Sequence, residues 1–182
     1  MRADAKINYD RLLAVTQEAV AEHGADLSLR DVARRAEVGL GTLYRHFPTR
    51  EDLLEAVLRT KFETLTTRVD TLIASTPSDE ALVMWLKDVL AFSCTHRGVI
   101  GLMMSAIEDP NSALYSSCVT MRSAGTSLLV RAQAEGKARH DIDGADLFAL
   151  VAALGWIYEQ PNTATRANHL FQVITGALLT KG

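Results

Sequence analysis

Between Ser28 and Leu58 the apolar residues recur at helical spacing, in short bursts that stop abruptly. That pattern admits two short helices and the start of a longer one, and no strand. Leu29, Val32, Ala33 and Ala36 fall at i, i+3, i+4 and i+7, giving one inward face. Ser28 opens this helix with Asp31 three residues on, a capping-box-like start in which Asp is a weaker partner than Glu. Glu37-Val38 makes the turn. The next helix covers about Leu40 to Phe47, with Leu43 and Phe47 inward, and Pro48 ends it. Thr49 then caps a helix that the series Leu53, Leu54, Val57, Leu58, Phe62, Leu65, Val69 and Leu72 carries to about Ser75.

The same reading predicts a first helix from about Asn8 to His23, with Leu12, Val15, Ala19 and Val20 inward and Gly24 as its stop. Beyond the break at Thr76-Pro77-Ser78-Asp79, helices are expected at about Asp79–His96, Val99–Ile107, from Asp109-Pro110-Asn111 to Glu135, at 145–158 and at 163–180. The last two are separated by Gln160-Pro161-Asn162. Nine helices and no strand make an all-α chain. The expected division is 1–54 for an N-terminal three-helix unit and 55–182 for a C-terminal helical bundle.

Composition agrees. Of 182 residues, 48% are hydrophobic, so a sizeable core can form, and aromatics are only 6%. Net charge is −3, which excludes a globally basic nucleic-acid coat. Residues 1–50 hold 8 Lys+Arg against 7 Asp+Glu, and residues 51–182 hold 11 against 15. A mildly basic end on an acidic body permits contact with a polyanion at that end only. Cys94 and Cys118 form no CxxC pattern and fall in apolar helical stretches, so both are read as buried free thiols in a reducing compartment. The N-terminus carries no signal-peptide pattern, and the longest apolar run, Leu147 to Tyr158, is too short to span a bilayer. A cytoplasmic protein with no membrane partner is the expectation.

The outward residues of the second short helix carry the function. Leu40, Thr42, Tyr44, Arg45 and His46 display small, polar and basic groups together. A hairpin in an ordinary bundle would account for Leu43 and Phe47 but not for this display. Tyr44 and His46 can bond phosphate oxygens, and Arg45 and Arg50 supply charge at the edges. Gly39 and Gly41 leave the helix's N-terminal end bare, so backbone can approach DNA closely at the positive pole of the helix dipole. Thr42 and Leu40 then meet base edges, Leu40 against a thymine methyl. This is a helix-turn-helix.

The run from Val38 to Phe47 with Thr49-Arg50-Glu51-Asp52-Leu53-Leu54 resembles the DNA-binding domain of TetR-family transcriptional regulators. The resemblance covers about residues 8–58 and includes Gly41-Thr42-Leu43-Tyr44, His46-Phe47 and Glu51-Asp52 before two leucines. It implies that Ser28, Thr42, Tyr44, His46 and Arg50 hold phosphates and that residues 39–42 enter the major groove. Two positions depart from the family pattern: Glu37 stands where Gly is common, and Gly39 where Ser is common. Glu in a left-handed turn costs roughly 1 kcal/mol.

In the body, Leu147, Phe148, Leu150, Val151, Leu154, Trp156 and Ile157 make one helix apolar nearly all round, and Leu170, Phe171, Val173, Ile174, Ala177 and Leu178 form a wide stripe on another. A helix apolar on more than one face must bury more than one face. Either both lie deep in the body, or Leu147, Leu150, Val151, Leu154, Leu170, Val173, Ile174, Ala177 and Leu178 meet a second subunit. The family resemblance implies the homodimer, which sets two recognition helices about 34 Å apart on a near-palindromic site. It also implies a small-molecule effector. Met84, Trp85, Phe92, Met103, Met104, Tyr115 and Met121 are candidates to line its cavity, with Ser93, His96 and Cys118 as polar contacts. Each has an ordinary core or surface role as the alternative.

Enzyme signatures are missing: no GxSxG, SxxK, HExxH or glycine-rich phosphate loop occurs. Asp141, Asp143 and Asp146 resemble a calcium loop only faintly, and a turn with Asp143 as N-cap explains them. Cys94-Thr95-His96 offers too few ligands for a metal. No cofactor and no metal are expected. Two readings remain: a ligand-released, sequence-specific DNA-binding repressor, and a non-enzymatic helical protein that sequesters a small molecule or a partner protein.

Overall fold

The computed structural model describes residues 2–160, 162 and 164–180. Nine α-helices occur among these residues: α1 (Arg2–His23), α2 (Leu29–Arg35), α3 (Leu40–His46), α4 (Arg50–Ser75), α5 (Ser78–Thr95), α6 (Val99–Ala106), α7 (Tyr115–Ala134), α8 (Gly144–Glu159) and α9 (Ala167–Leu178). A short 3-10 turn, Ala164–Arg166, leads into α9. The one strand-like feature among the described residues is an isolated bridge between Ala138 and Leu179. No single helix there is long and apolar enough to cross a membrane. Pro161 and Thr163, part of the expected break before the last helix, lie outside the described residues.

Two compact units result, and neither is one continuous stretch. The first comprises residues 1–60 and 95–115, the second 61–94 and 116–182. The segment 95–115, with all of α6, therefore belongs with the N-terminal helices, and α4 contributes to both units.

In the first unit, α1 buries Leu12, Thr16, Ala19 and Val20. Thr16 takes the place expected of Val15; its hydroxyl is satisfied by the Leu12 carbonyl at 2.6 Å. Arg35 of α2 donates to both Glu22 carboxylate oxygens of α1, at 2.8 and 3.2 Å. The guanidinium holds Glu22 below the usual carboxylate range, and the carboxylate raises Arg35. Ser28 caps α2, accepting from the Asp31 amide at a long 3.4 Å. Thr49 and Asp52 form a full reciprocal cap on α4: the Thr49 amide donates to Asp52 at 2.9 Å and the Asp52 amide to Thr49 Oγ1 at 3.1 Å.

The second unit buries Phe62, Leu65, Val69 and Leu72 of α4 with Ala81, Leu82, Trp85, Leu86, Val89 and Leu90 of α5, and with the inner faces of α7, α8 and α9. Phe62 and Phe92 meet edge to face, ring centroids 5.4 Å apart. Trp85 donates its indole N–H to the Leu65 carbonyl at 3.0 Å. The expected helix start at Asp109-Pro110-Asn111 moves to Tyr115. The Asp109 carboxylate accepts the Asn111 amide at 3.0 Å and its carbonyl accepts the Ser112 amide at 2.9 Å, so this stretch is held in turns. Asp143 caps α8 in a capping box with Asp146. Asp141 is taken by Arg139, which draws its carboxyl down to about 2. The three aspartates thus have structural partners, and no group of three or more His, Cys, Asp or Glu among the described residues is arranged to hold a metal.

Cys118 is buried, which pushes its thiol up to about 12. Cys94 is exposed, contrary to the expectation that both thiols are buried. The buried face of α5 runs through Trp85, Leu86, Val89, Leu90, Phe92 and Ser93. Cys94 falls one step past it, on the outer side with Lys87 and Ala91.

Candidate nucleic-acid interface

The α2–α3 pair is joined by a turn that depends on one residue. Glu37 has φ 55, the one non-glycine residue with positive φ among those described. Its left-handed backbone reverses the chain so that the Val38 amide reaches the Ala33 carbonyl at 3.0 Å. Val38 then turns inward, and Gly39 caps α3 with extended backbone.

Helix α3 is anchored by Leu43 and by the capping residue Phe47, both buried. A seven-residue helix has no stability of its own, so these two apolar anchors hold it. Everything else on it faces outward in whole or in part. Gly39, Gly41, Tyr44 and Arg45 are exposed, and Leu40, Thr42 and His46 are half-buried. Tyr44 is 48% exposed. Arg45 folds back to donate to the Gly41 carbonyl at 3.2 Å. Arg50, at the start of α4, pairs with Asp26 at 2.8 Å and lies 3.8 Å from Glu51. Ser28 is exposed at the start of α2.

The two glycines are informative because nothing inside the chain requires them. Neither has positive φ. A Cβ at Gly41 would meet no atom within 4 Å, and one at Gly39 would meet only Thr42 Oγ1, at 3.9 Å. At Gly41, inside α3, glycine costs roughly 0.5–1 kcal/mol relative to alanine, whereas Gly39 is the N-cap, where glycine is tolerated well. What these positions provide is bare backbone on an outer surface. Tyr9 was not singled out as part of this site by sequence. It stacks on Phe47 at a centroid distance of 5.2 Å and meets His46 edge to face at 5.8 Å. Its i−3 spacing from Leu12 was the available signal.

The residues proposed for an effector cavity divide between the two units. His96, Met103, Met104 and Tyr115 belong to the first, and Met84, Trp85, Phe92, Ser93, Cys118 and Met121 to the second. Met84 is exposed, Ser93 is buried with its hydroxyl on the Val89 carbonyl, and His96 sits beside the Thr95 hydroxyl at 2.9 Å. In the second unit Trp85 and Met121 line a cleft with Val89, Arg122, Leu147 and Phe148. Its free volume is about 10 Å³, room for a single water. Trp85 fills the rest, lying over Gly125, where a Cβ would come within 2.5 Å of its ring.

The proposed subunit-contact residues also divide. Leu147, Val151, Leu154 and Leu178 are buried within the single chain. Leu150, Leu170 and Ile174 are half-buried, and Val173 and Ala177 are exposed. Ala149, Ala153 and Trp156, the last 60% exposed, form an outward apolar line on α8.

Comparison with known proteins accords with this architecture. Residues 12–57 match the model of bacterial regulatory proteins of the tetR family, and residues 77–179 match that of the transcriptional regulator SbtR-like C-terminal domain. The chain is similar to a TetR transcriptional regulator from Streptomyces coelicolor, with 32% identity, 96% of this chain and 99% of that one covered, and a TM-score of 0.64. A stretch of 76 residues is 33% identical to an HTH-type transcriptional regulator of Staphylococcus aureus, covering 40% of this chain and 39% of that protein. Across the first curated relatives, the matched stretches span between 39% and 60% of those proteins' length. FadR from Bacillus subtilis, solved in complex with stearoyl-CoA, shares the fold at 15% identity, with 93% and 99% of the chains covered and a TM-score of 0.64. With more than half its length matched by the C-terminal family model and the helix-turn-helix matched besides, the chain belongs to the TetR family of transcriptional regulators.

Proposed function

We propose that this regulator is a repressor that binds a near-palindromic operator as a homodimer and is released from it by a small-molecule effector. The observation that carries the DNA reading is the outer face of α3: two glycines free of any internal requirement, beside exposed Tyr44 and Arg45. In this reading residues 39–42 enter the major groove, while Ser28, Thr42, Tyr44, Arg45, His46 and Arg50 hold the backbone phosphates. Arg50 exchanges its contact with Asp26 for a phosphate.

The dimer reading is supported by the outward apolar residues of α8 and α9, namely Ala149, Ala153, Trp156, Val173 and Ala177. The effector reading is supported more generally. The same fold holds stearoyl-CoA in FadR, and the cleft under Trp85 is apolar with Arg122 at its edge. A ligand of any size there must displace the indole, because the cleft itself holds only a water. It then releases the distal α4 carbonyl at Leu65, and it acts only by its difference in affinity between two arrangements of the dimer.

The test is binding to the DNA upstream of the protein's own gene, in physiological salt, against a scrambled competitor. Strong preference, saturating at two or four subunits per site, supports the reading. Weak binding lost equally on both duplexes as salt rises means phosphate contact without recognition. In that case the operator lies elsewhere, or a protein that sequesters a small molecule or a partner protein becomes the better description.

A further inference from the structure

Helix α1 carries its buried residues in one line, Leu12, Thr16, Ala19 and Val20. Tyr9 extends that line by one rung, at i−3 from Leu12, and there the core has ended: Tyr9 is half-buried and Lys6, one rung further, is exposed. What the Tyr9 ring meets instead is the C-terminal end of α3. It stacks on Phe47, with an interplanar angle of 29°, and stands edge to face against His46 at 66°. His46 and Phe47 are themselves 6.2 Å apart, so the three rings form one cluster.

We infer that Tyr9 is a positioning residue for DNA binding, which fixes the His46 imidazole and the end of α3 against the duplex without itself reading a base. The inference rests on the DNA-binding reading above. Its physical basis is that a two-turn helix held by Leu43 and Phe47 alone can rock about those two anchors. Phe47 is the residue at which α3 leaves its helical path, with φ −136. An aromatic ring laid flat on Phe47 and edge-on to His46 removes that freedom, and such pairs have a preferred geometry that simple apolar contact lacks. His46 then presents its ring in one orientation before DNA arrives, so less ordering is needed on binding.

The test is a double-mutant cycle on the intact protein, using a duplex that the wild type has enriched from a random-sequence pool. Tyr9→Ala is expected to weaken binding about five- to tenfold, the scale of an aromatic pair. Tyr9→Phe keeps both ring contacts and is expected to bind as wild type. In a His46→Ala background, Tyr9→Ala is expected to cost clearly less than it does in the wild type, because one of the two groups it positions is gone. In the wild type and in Tyr9→Phe, the His46 ring protons carry an aromatic ring-current shift that Tyr9→Ala loses. Additive losses in the cycle, or Tyr9→Ala binding as tightly as wild type, overturn the role of Tyr9 and leave the DNA reading standing. A wild type that enriches no sequence overturns the DNA reading and this inference with it.

Discussion

The Ala25 amide donates a 2.7 Å hydrogen bond to the carbonyl of Arg97, closing the loop after α1 onto the turn between α5 and α6. Gly24 makes that closure possible. It has φ 78, and a Cβ there would lie 2.5 Å from the Arg97 oxygen. Gly98, opposite, has φ 77, and a Cβ there would sit 3.6 Å from the Ala25 methyl carbon. The first unit is therefore fastened to its distant segment 95–115 by a backbone hydrogen bond that glycine permits.

Gly24→Ala carries two penalties, a left-handed alanine and a collision with a carbonyl that cannot turn aside. The left-handed conformation alone costs about 1 kcal/mol, so a total loss of about 2 kcal/mol or more is expected. Gly136→Ala is the control: φ is 71 but no atom lies within 4 Å of the new methyl, so only the first penalty applies. Urea unfolding of both variants isolates the collision as the difference between them. Equal losses would mean that the loop at Gly24 yields freely.

Gly41→Ala is expected to act in opposite directions on two properties. Folding stability rises by roughly 0.5–1 kcal/mol, because a helical position with open space receives a better helix former. Sequence-specific DNA affinity falls, because the new methyl stands where backbone is proposed to meet the groove. Thermal unfolding and a DNA titration on the same preparation check both. Stability and affinity rising together would remove Gly41 from the interface.

The outward apolar positions of α8 and α9 predict the effect of charge there. Ala153→Glu with Val173→Glu alters residues that are exposed in the single chain, so the fold should be retained. Self-association should weaken at least about a hundredfold, since like charges are brought together across a two-fold axis. Sedimentation equilibrium measures this. A double variant that associates like wild type would place the subunit contact elsewhere.

One ionic cluster should contribute to both the acid and the alkaline edge of the pH–stability profile. Lys137 lies 3.0 Å from Asp79 and 3.4 Å from Glu135, and Ser78 donates to Glu135 at 2.6 Å. The hydrogen bond from Lys137 lowers Asp79 from 3.8, and chiefly the Ser78 hydroxyl lowers Glu135 from 4.5. Their stabilisation is present above those values and is lost as pH falls through the lowered ones. Lys137 is raised from 10.5, chiefly by Asp79, so its stabilisation is present below that value and lost as pH rises through the raised one. Lys137→Met should flatten both edges of a urea-midpoint profile, and 1 M salt should flatten them in the wild type, because the groups are solvent-accessible. A profile unchanged by Lys137→Met would show that the cluster contributes nothing to folding.

How much was readable in advance depended on whether a residue's neighbours were local. Ser28, Thr49 and Asp52 act within their own turn and Leu43 and Phe47 lie on one apolar face of α3, so spacing alone placed them, and the left-handed backbone at Glu37 followed from its standing where the family commonly has Gly. Thr16 displaced Val15 from the core because a threonine can satisfy its hydroxyl on the preceding turn, an option that apolar patterning ignores. Cys94 looked buried because α5 is apolar over most of its length; which side faced out depended on a phase one residue wide. Leu147, Val151 and Leu154 were read together with Val173 and Ala177 as one surface, although packing inside the chain had already taken the first three. The Tyr9 cluster joins residues 37 positions apart, and no periodicity reaches that far.

The division of labour on α3 bears on how such a regulator acquires new targets. Leu43 and Phe47 carry the packing, while Gly41, Tyr44 and Arg45 are exposed and hold no part of the core. Changes at these three outer positions leave the anchoring pair untouched, so on the proposed reading the groove approach at Gly41 and the phosphate contacts of Tyr44 and Arg45 can vary without surplus stability first being accumulated. The framework and its vocabulary can diverge at different rates.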